Sequence, residues 1–217
     1  MPLQNRVTPE GEILATPARG TLMGSRGGIL HEPDKTLGPR RWATKQWIAC
    51  RLSFKGRHRP VMMPGSYTEL FFLDEATALA AGHRPCYECR RTAANLFNTL
   101  WTTAAELDQP PSAYEMDQVL HSQRVDAIGR KVTFEAALAV LPDGTFVRRH
   151  GEPHLVLARQ LLPWTAESYG HATTAPHSEY VEVLTPRAIV AVLLAGYSPE
   201  LHPSAAVDAQ CTASSAQ

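Results

Sequence analysis

Apolar and polar positions change their rhythm along the chain, and the changes mark out its elements. Residues 2–20 are turn-rich, with one strand expected at 12–15. The stretch 21–31, TLMGSRGGILH, sets three glycines around Arg26 and reads as a glycine-rich turn between strands. Aromatic and apolar runs at 42–52 (WATKQWIACRL) and 67–73 are expected as strands. Asp74 then offers a side-chain N-cap to the short helix EATALAA, and Gly82 stands where a helix ends in left-handed geometry. Ala93, Leu96, Phe97, Leu100, Trp101 and Ala104 recur at helical spacing, which predicts a helix of about four turns before Pro110 and Pro111. Ser112 and Glu115 form a capping-box pattern that opens another helix, with Met116, Val119 and Leu120 expected inward.

Beyond that point the pattern turns to strands. Residues 136–140 and 145–149 flank Pro142, Asp143 and Gly144 and are expected to pair as a hairpin. Residues 154–162 and 180–184 read as further strands, and Thr185 and Pro186 introduce a last helix at 187–195, stopped by Gly196. The expected fold is α+β. A small zinc-stapled N-terminal module with short helices and strands (1–110) precedes a β-rich unit with flanking helices (111–202), and a small, polar tail (203–217) carries Cys211. No internal repeat is present.

Composition changes this picture little. With 217 residues, 44% hydrophobic and 19% charged, the chain is of a size and make-up to bury a core. No apolar run reaches the length of a membrane span, and the N-terminus lacks the apolar core of a secretory signal, so a cytoplasmic protein is expected. Charge is more telling. The net charge is zero, yet residues 1–91 carry 14 of the 21 Lys/Arg and 8 of the 21 Asp/Glu. Within 40–59, Arg40, Arg41, Lys45, Arg51, Lys55, Arg57 and Arg59 stand with no acidic residue among them. Such a basic stretch suits an anionic partner, nucleic acid first, although an ordinary solvated face has the same composition.

The candidate chemistry sits in two of the four cysteines. Cys86 and Cys89 are spaced C-x-x-C, a turn that directs two sulfurs at one metal ion and supplies half of a tetrahedral zinc site. In a reducing compartment this spacing reads as a metal or redox pair before a disulfide. The pair follows a helix-ending glycine rather than opening a helix after a strand, which disfavours the thioredoxin-like redox setting. His150 and His154 are four apart, but Gly151 and Pro153 between them argue against a helical metal pair. No P-loop or nucleophile-elbow motif is present.

Residues 71–89, FFLDEATALAAGHRPCYEC, resemble the second half of the metal-binding module of the Ada family of DNA alkylation-repair proteins. In that family an aromatic residue and a short EALAAG-like helix precede G-x-R-P-C-x-x-C, matched here by Gly82, Arg84, Pro85, Cys86 and Cys89. Upstream, Cys50, Arg51 and Ser53 are similar to the family's C-R-P-S-C, whose second cysteine falls on Phe54. The resemblance covers roughly 42–91. It implies a zinc ion held by Cys50, Cys86 and Cys89, with His58 the nearest replacement for the missing cysteine and His31 and His83 more remote ones. It also implies Cys50 as a methyl acceptor from alkylated DNA phosphate, although with three thiolates the sulfur is a poorer nucleophile. Arg51, Lys55, Arg57, Arg59 and Arg84 are the expected phosphate contacts, and Trp42, Trp47 and Tyr67 are either base-stacking or core residues. DNA binding in alkylation repair or its regulation is the function implied. The alternatives are a hydrolase or nuclease of unrelated chemistry using Glu69 or His31 beside a structural zinc, and a zinc-stapled scaffold that binds protein.

Overall fold

The structure is a computed structural model that describes residues 1–56, 60–176 and 178–206. Its first sheet is mixed and six-stranded. The strands are β1 (Gln4–Val7), β2 (Ile13–Ala15), β3 (Leu22–Ser25), β4 (Ile48–Arg51), β5 (Leu70–Phe72) and β6 (Arg84–Pro85), in the order β2-β1-β5-β3-β4-β6. Two pairings in it are parallel, β1 with β5 and β4 with β6. Two of these strands, β1 and β3, lie in stretches expected to be turns. Glycine explains the second case. A Cβ on Gly24 would lie 2.2 Å from the Ile48 carbonyl oxygen, so β3 and β4 close together only around a residue without one.

Among the described residues, four α-helices accompany the sheets. Asp74 caps α1 (Glu75–Ala80) by accepting from the Thr77 amide, and Gly82 follows its end at φ +87°. Next come α2 (Arg91–Ala104) and α3 (Ala113–Arg124), the latter opened by the full Ser112–Glu115 capping box. Met116 and Leu120 point inward as expected, but Val119 is 41% exposed. The last helix, α4 (Arg187–Leu194), starts at Pro186 without a side-chain cap, because Thr185 Oγ1 accepts from the Phe146 amide instead.

The second sheet is antiparallel and contains β7 (Phe134–Ala137), β8 (Phe146–Arg149), β9 (Glu152–Leu157), β10 (Gln160–Pro163) and β11 (Tyr180–Val183), in the order β10-β9-β8-β11-β7. The expected hairpin across Pro142–Gly144 does not form, since β11 inserts between β7 and β8 and pairs with both. The expected strand at 154–162 is two strands. Ala158 and Arg159, at φ +48° and +61°, reverse the chain between β9 and β10.

Packing converges on α1, all six residues of which are buried. Ala78 packs with the first sheet's Val7, Leu22, Ala49 and Phe72. Ala76 and Ala80 pack with Phe146, Leu155 and Leu162 of the second sheet. Leu79 joins Phe97, Trp101, Met116, Leu120 and Ile189 from the other three helices. One alanine-rich helix thus faces three cores, small side chains letting each approach closely. The expected boundary at 110 falls between α2 and α3, which share the third of these cores. The first residues of the expected tail belong to the fold. Pro203–Ala205 forms a 3₁₀ turn with Ala205 buried among the Phe146 group, and the His202 amide donates to Asp74 Oδ2. Cys211 lies outside the described residues.

Candidate metal centre

The parallel pairing of β4 with β6 builds the site. Ile48 faces Arg84 and Ala49 faces Pro85, so Cys50 at the end of β4 arrives beside Cys86, whose amide donates to the Ala49 carbonyl. The chain then turns through Tyr87, Glu88 and Cys89 into α2, and the Arg90 amide closes the turn on the Cys86 carbonyl at 3.0 Å. The three sulfurs lie within 4.8 Å of one another. Tetrahedral zinc–thiolate bonds of about 2.3 Å set sulfurs about 3.8 Å apart, so an ion needs only small side-chain adjustment to sit among them. Backbone amides complete the arrangement, that of Arg51 donating to Cys89 Sγ at 3.4 Å.

The protons divide unequally over this trio. A hydrogen bond from Cys50, aided by the amides of Cys89 and Glu88, lowers the Cys86 thiol to about 5. Cys50 is raised, first by its hydrogen bond to Cys86 and then by burial, and Cys89 is raised by burial. One thiolate beside two thiols is the expected state of such a cluster without a cation, and a divalent ion displaces the remaining protons. The group could therefore hold a metal ion.

The turn is fixed from both sides by arginine. Arg84, just ahead of Cys86, donates to both carboxylate oxygens of Asp117 in α3 at 2.9 and 2.8 Å. Arg90, just after Cys89, donates to both oxygens of Glu75 in α1 at 2.7 Å each. All four residues are buried. Glu75 also accepts from the Tyr197 hydroxyl and the Glu200 amide, which ties the cysteine turn to the end of the described chain.

These contacts correct one expectation. Arg84 is 2% exposed with its fork filled by Asp117, so it cannot meet a phosphate. Arg51 and Lys55 are exposed, as is Arg91 at the start of α2. Arg57, Arg59 and His58 lie outside the described residues. Among the described residues no histidine joins the cysteine group. His31 is buried, with Nδ1 2.7 Å from Thr68 Oγ1 and Nε2 3.3 Å from the Met63 carbonyl, and His83 is fully buried between Trp47 and Phe72. Glu69 is buried with one oxygen on the Met62 amide, which gives it a structural place beside the His31 segment. Trp47 is core at 1% exposure, whereas Tyr67 is 38% exposed.

Sequence reading had no route to Asp117 and Glu75. The one available signal was an arginine on each side of a C-x-x-C pair, since an arginine that is buried is often paired with a carboxylate. No helix among the described residues is long and apolar enough to cross a membrane. No protein-family model, curated protein or solved structure matches the chain.

Proposed function

We propose that this chain is a zinc-stapled nucleic-acid-binding protein, with Cys50, Cys86 and Cys89 holding the ion and the exposed cations around them meeting phosphates. The observation that carries the reading is the meeting of three sulfurs from two parallel strands and one turn. Three thiolates are a donor set that suits zinc, and the amide donors to sulfur are those a zinc knuckle uses. Arg51 links the two halves of the reading, since its amide serves Cys89 while its side chain is exposed. Lys55 and Arg91 extend the same basic rim, and Arg40, Arg41 and Lys45 continue it upstream as exposed residues. Contacts of this kind hold the phosphate backbone and read little sequence.

The role assigned to Cys50 is that of a ligand. Phe54 occupies the position of the Ada family's second cysteine, and a three-thiolate cluster carries less negative charge with which to attack a methyl carbon. The binding half of the reading is tested by fluorescence anisotropy of a labelled DNA duplex. Binding at about 50 mM salt is expected to weaken steeply as salt rises and to change little with sequence, and Arg51→Ala with Lys55→Ala should reduce the slope of log K against log salt by about 2. Absence of binding at low salt would reject the nucleic-acid partner and leave the metal site standing.

A further inference from the structure

At the other end of the same two strands lies a second cluster of different character. Trp47 precedes β4 and His83 precedes β6, about 10 Å along the strands from the cysteines at 3.3 Å per residue. Beside them a narrow cavity of about 20 Å³ is lined by Arg26, Arg124, Lys131 and Trp47, with Arg41 and Trp42 also in its wall. Arg26 and Arg124 are each 1% exposed, and both guanidinium carbons lie 4.0 Å from the Trp47 ring centre.

Their partners are all uncharged. Arg26 donates to the Gly11 and Arg41 carbonyls and to His83 Nε2. Arg124 donates to the Gly82 and Lys45 carbonyls and lies 3.3 Å from His121 Nδ1, while its Nε is buried with no hydrogen-bond partner. The Lys131 ammonium donates to the Ala80 carbonyl. Among the described residues none of the three forms an ion pair with a carboxylate. Among the described residues the other two buried arginines, Arg84 and Arg90, each hold a carboxylate through two bonds. Holding two buried cations and a half-buried one together, with no carboxylate paired to any of them, is costly unless an anion joins them.

We propose that this cavity is an oxyanion site that takes one oxygen of the terminal phosphate of a small phosphate monoester or of free phosphate, that oxygen accepting from the spare donors of Arg26, Arg124 and Lys131. The volume admits about one water-sized group, so one oxygen enters and the rest of the ligand stays towards Arg41 and Trp42. A planar fork from each arginine and a point charge from lysine are the donors that phosphate sites use. The electrostatics agree with a site short of negative charge. Burial, with added repulsion from Arg26 and Arg124, lowers Lys131 to about 7, and burial lowers Arg26 and Arg124 to about 9. Glu10 and Glu12 line the cavity as well and oppose part of this. Glu12 is exposed, Glu10 lies 4.0 Å from Arg148, and Asp117, the other carboxylate felt by Arg124, is taken by Arg84. This site is independent of the metal reading.

The test is a titration of the full chain with inorganic phosphate at constant ionic strength, set against chloride and read by tryptophan fluorescence and thermal unfolding. A saturable stabilisation by phosphate is expected. Lys131→Gln should weaken phosphate binding about tenfold or more while leaving the ligand-free protein at least as stable, because it removes a cation that has no paired carboxylate. Arg41→Ala, at the exposed edge, should weaken binding less and serves if Lys131→Gln does not fold. A nucleoside 5′-monophosphate binding more tightly than phosphate, with the bare nucleoside inert, would identify a nucleotide as the source. Equal binding of the two would identify free phosphate. Phosphate acting no differently from chloride, or acting equally on wild type and both variants, would overturn the proposal.

Discussion

The two arginines that bracket the cysteine turn show how much one side chain decides here. Arg84 stands beside Cys86 in sequence, and its charge is spent inward on Asp117. Truncating it leaves a buried carboxylate unpaired, so Arg84→Ala should cost about 3–5 kcal/mol in denaturant unfolding. Arg84→Met combined with Asp117→Leu should recover most of that loss, because a buried pair replaced by apolar groups is close to neutral. A loss below about 1 kcal/mol in the single variant would mean the pair is not closed. The arginine was legible in the sequence and its task was not, since the partner lies 33 residues away on helix α3. Gly82 is the opposite case. Its place after the α1 helix is a local rule, and the structure adds that a Cβ there would lie 2.6 Å from Arg124 Cδ.

At the scale of elements, what was readable is what depends on neighbours in sequence. Asp74 with Thr77 and Ser112 with Glu115 define the starts of α1 and α3 through contacts three residues long. Strand pairing is another matter. Pro142–Gly144 looks like a hairpin turn, yet β8 takes β11 and β9 as its neighbours. The turn that does reverse the chain, at Ala158 and Arg159, carries neither glycine nor asparagine and so left no mark in the pattern. Two such residues held at positive φ are strained, and both belong to a two-residue connection that favours Asn-Gly. Ala158→Asn with Arg159→Gly should therefore stabilise the protein by about 1 kcal/mol, seen as a higher unfolding temperature. An unchanged or lower value would show that this turn is not of the mirror-image type.

For the whole molecule, α1 is the common wall of three cores, and the three-cysteine group and the cationic cavity lie at opposite ends of β4 and β6. This arrangement predicts a pH response. Burial, then Arg26 and Arg124, hold His83 well below 6.5, so the folded chain keeps it neutral while the unfolded chain protonates it below that pH. The unfolded state then binds more protons, and stability is present above about 6.5 and lost as pH falls below it. Lys131, lowered to about 7 from 10.5, acts in the same sense over a higher range, so stability keeps rising between those values. Urea midpoints at pH 7.5 and 5.5 should differ clearly in wild type and less in His83→Gln. An equal difference in both would remove His83 from the explanation.

The C-x-x-C turn was visible from its spacing, but the arrival of Cys50, separated from Cys86 by 35 intervening residues, depends on β4 and β6 pairing in parallel. That meeting is the claim on which the functional reading depends, and the zinc content of the purified chain tests it most directly. Wild type should carry one zinc per chain, and both Cys50→Ser and Cys86→Ser should lose or weaken it while Cys211→Ser keeps it. A chain without stoichiometric metal, or one that holds zinc unchanged after Cys50→Ser, would contradict a centre built from Cys50, Cys86 and Cys89.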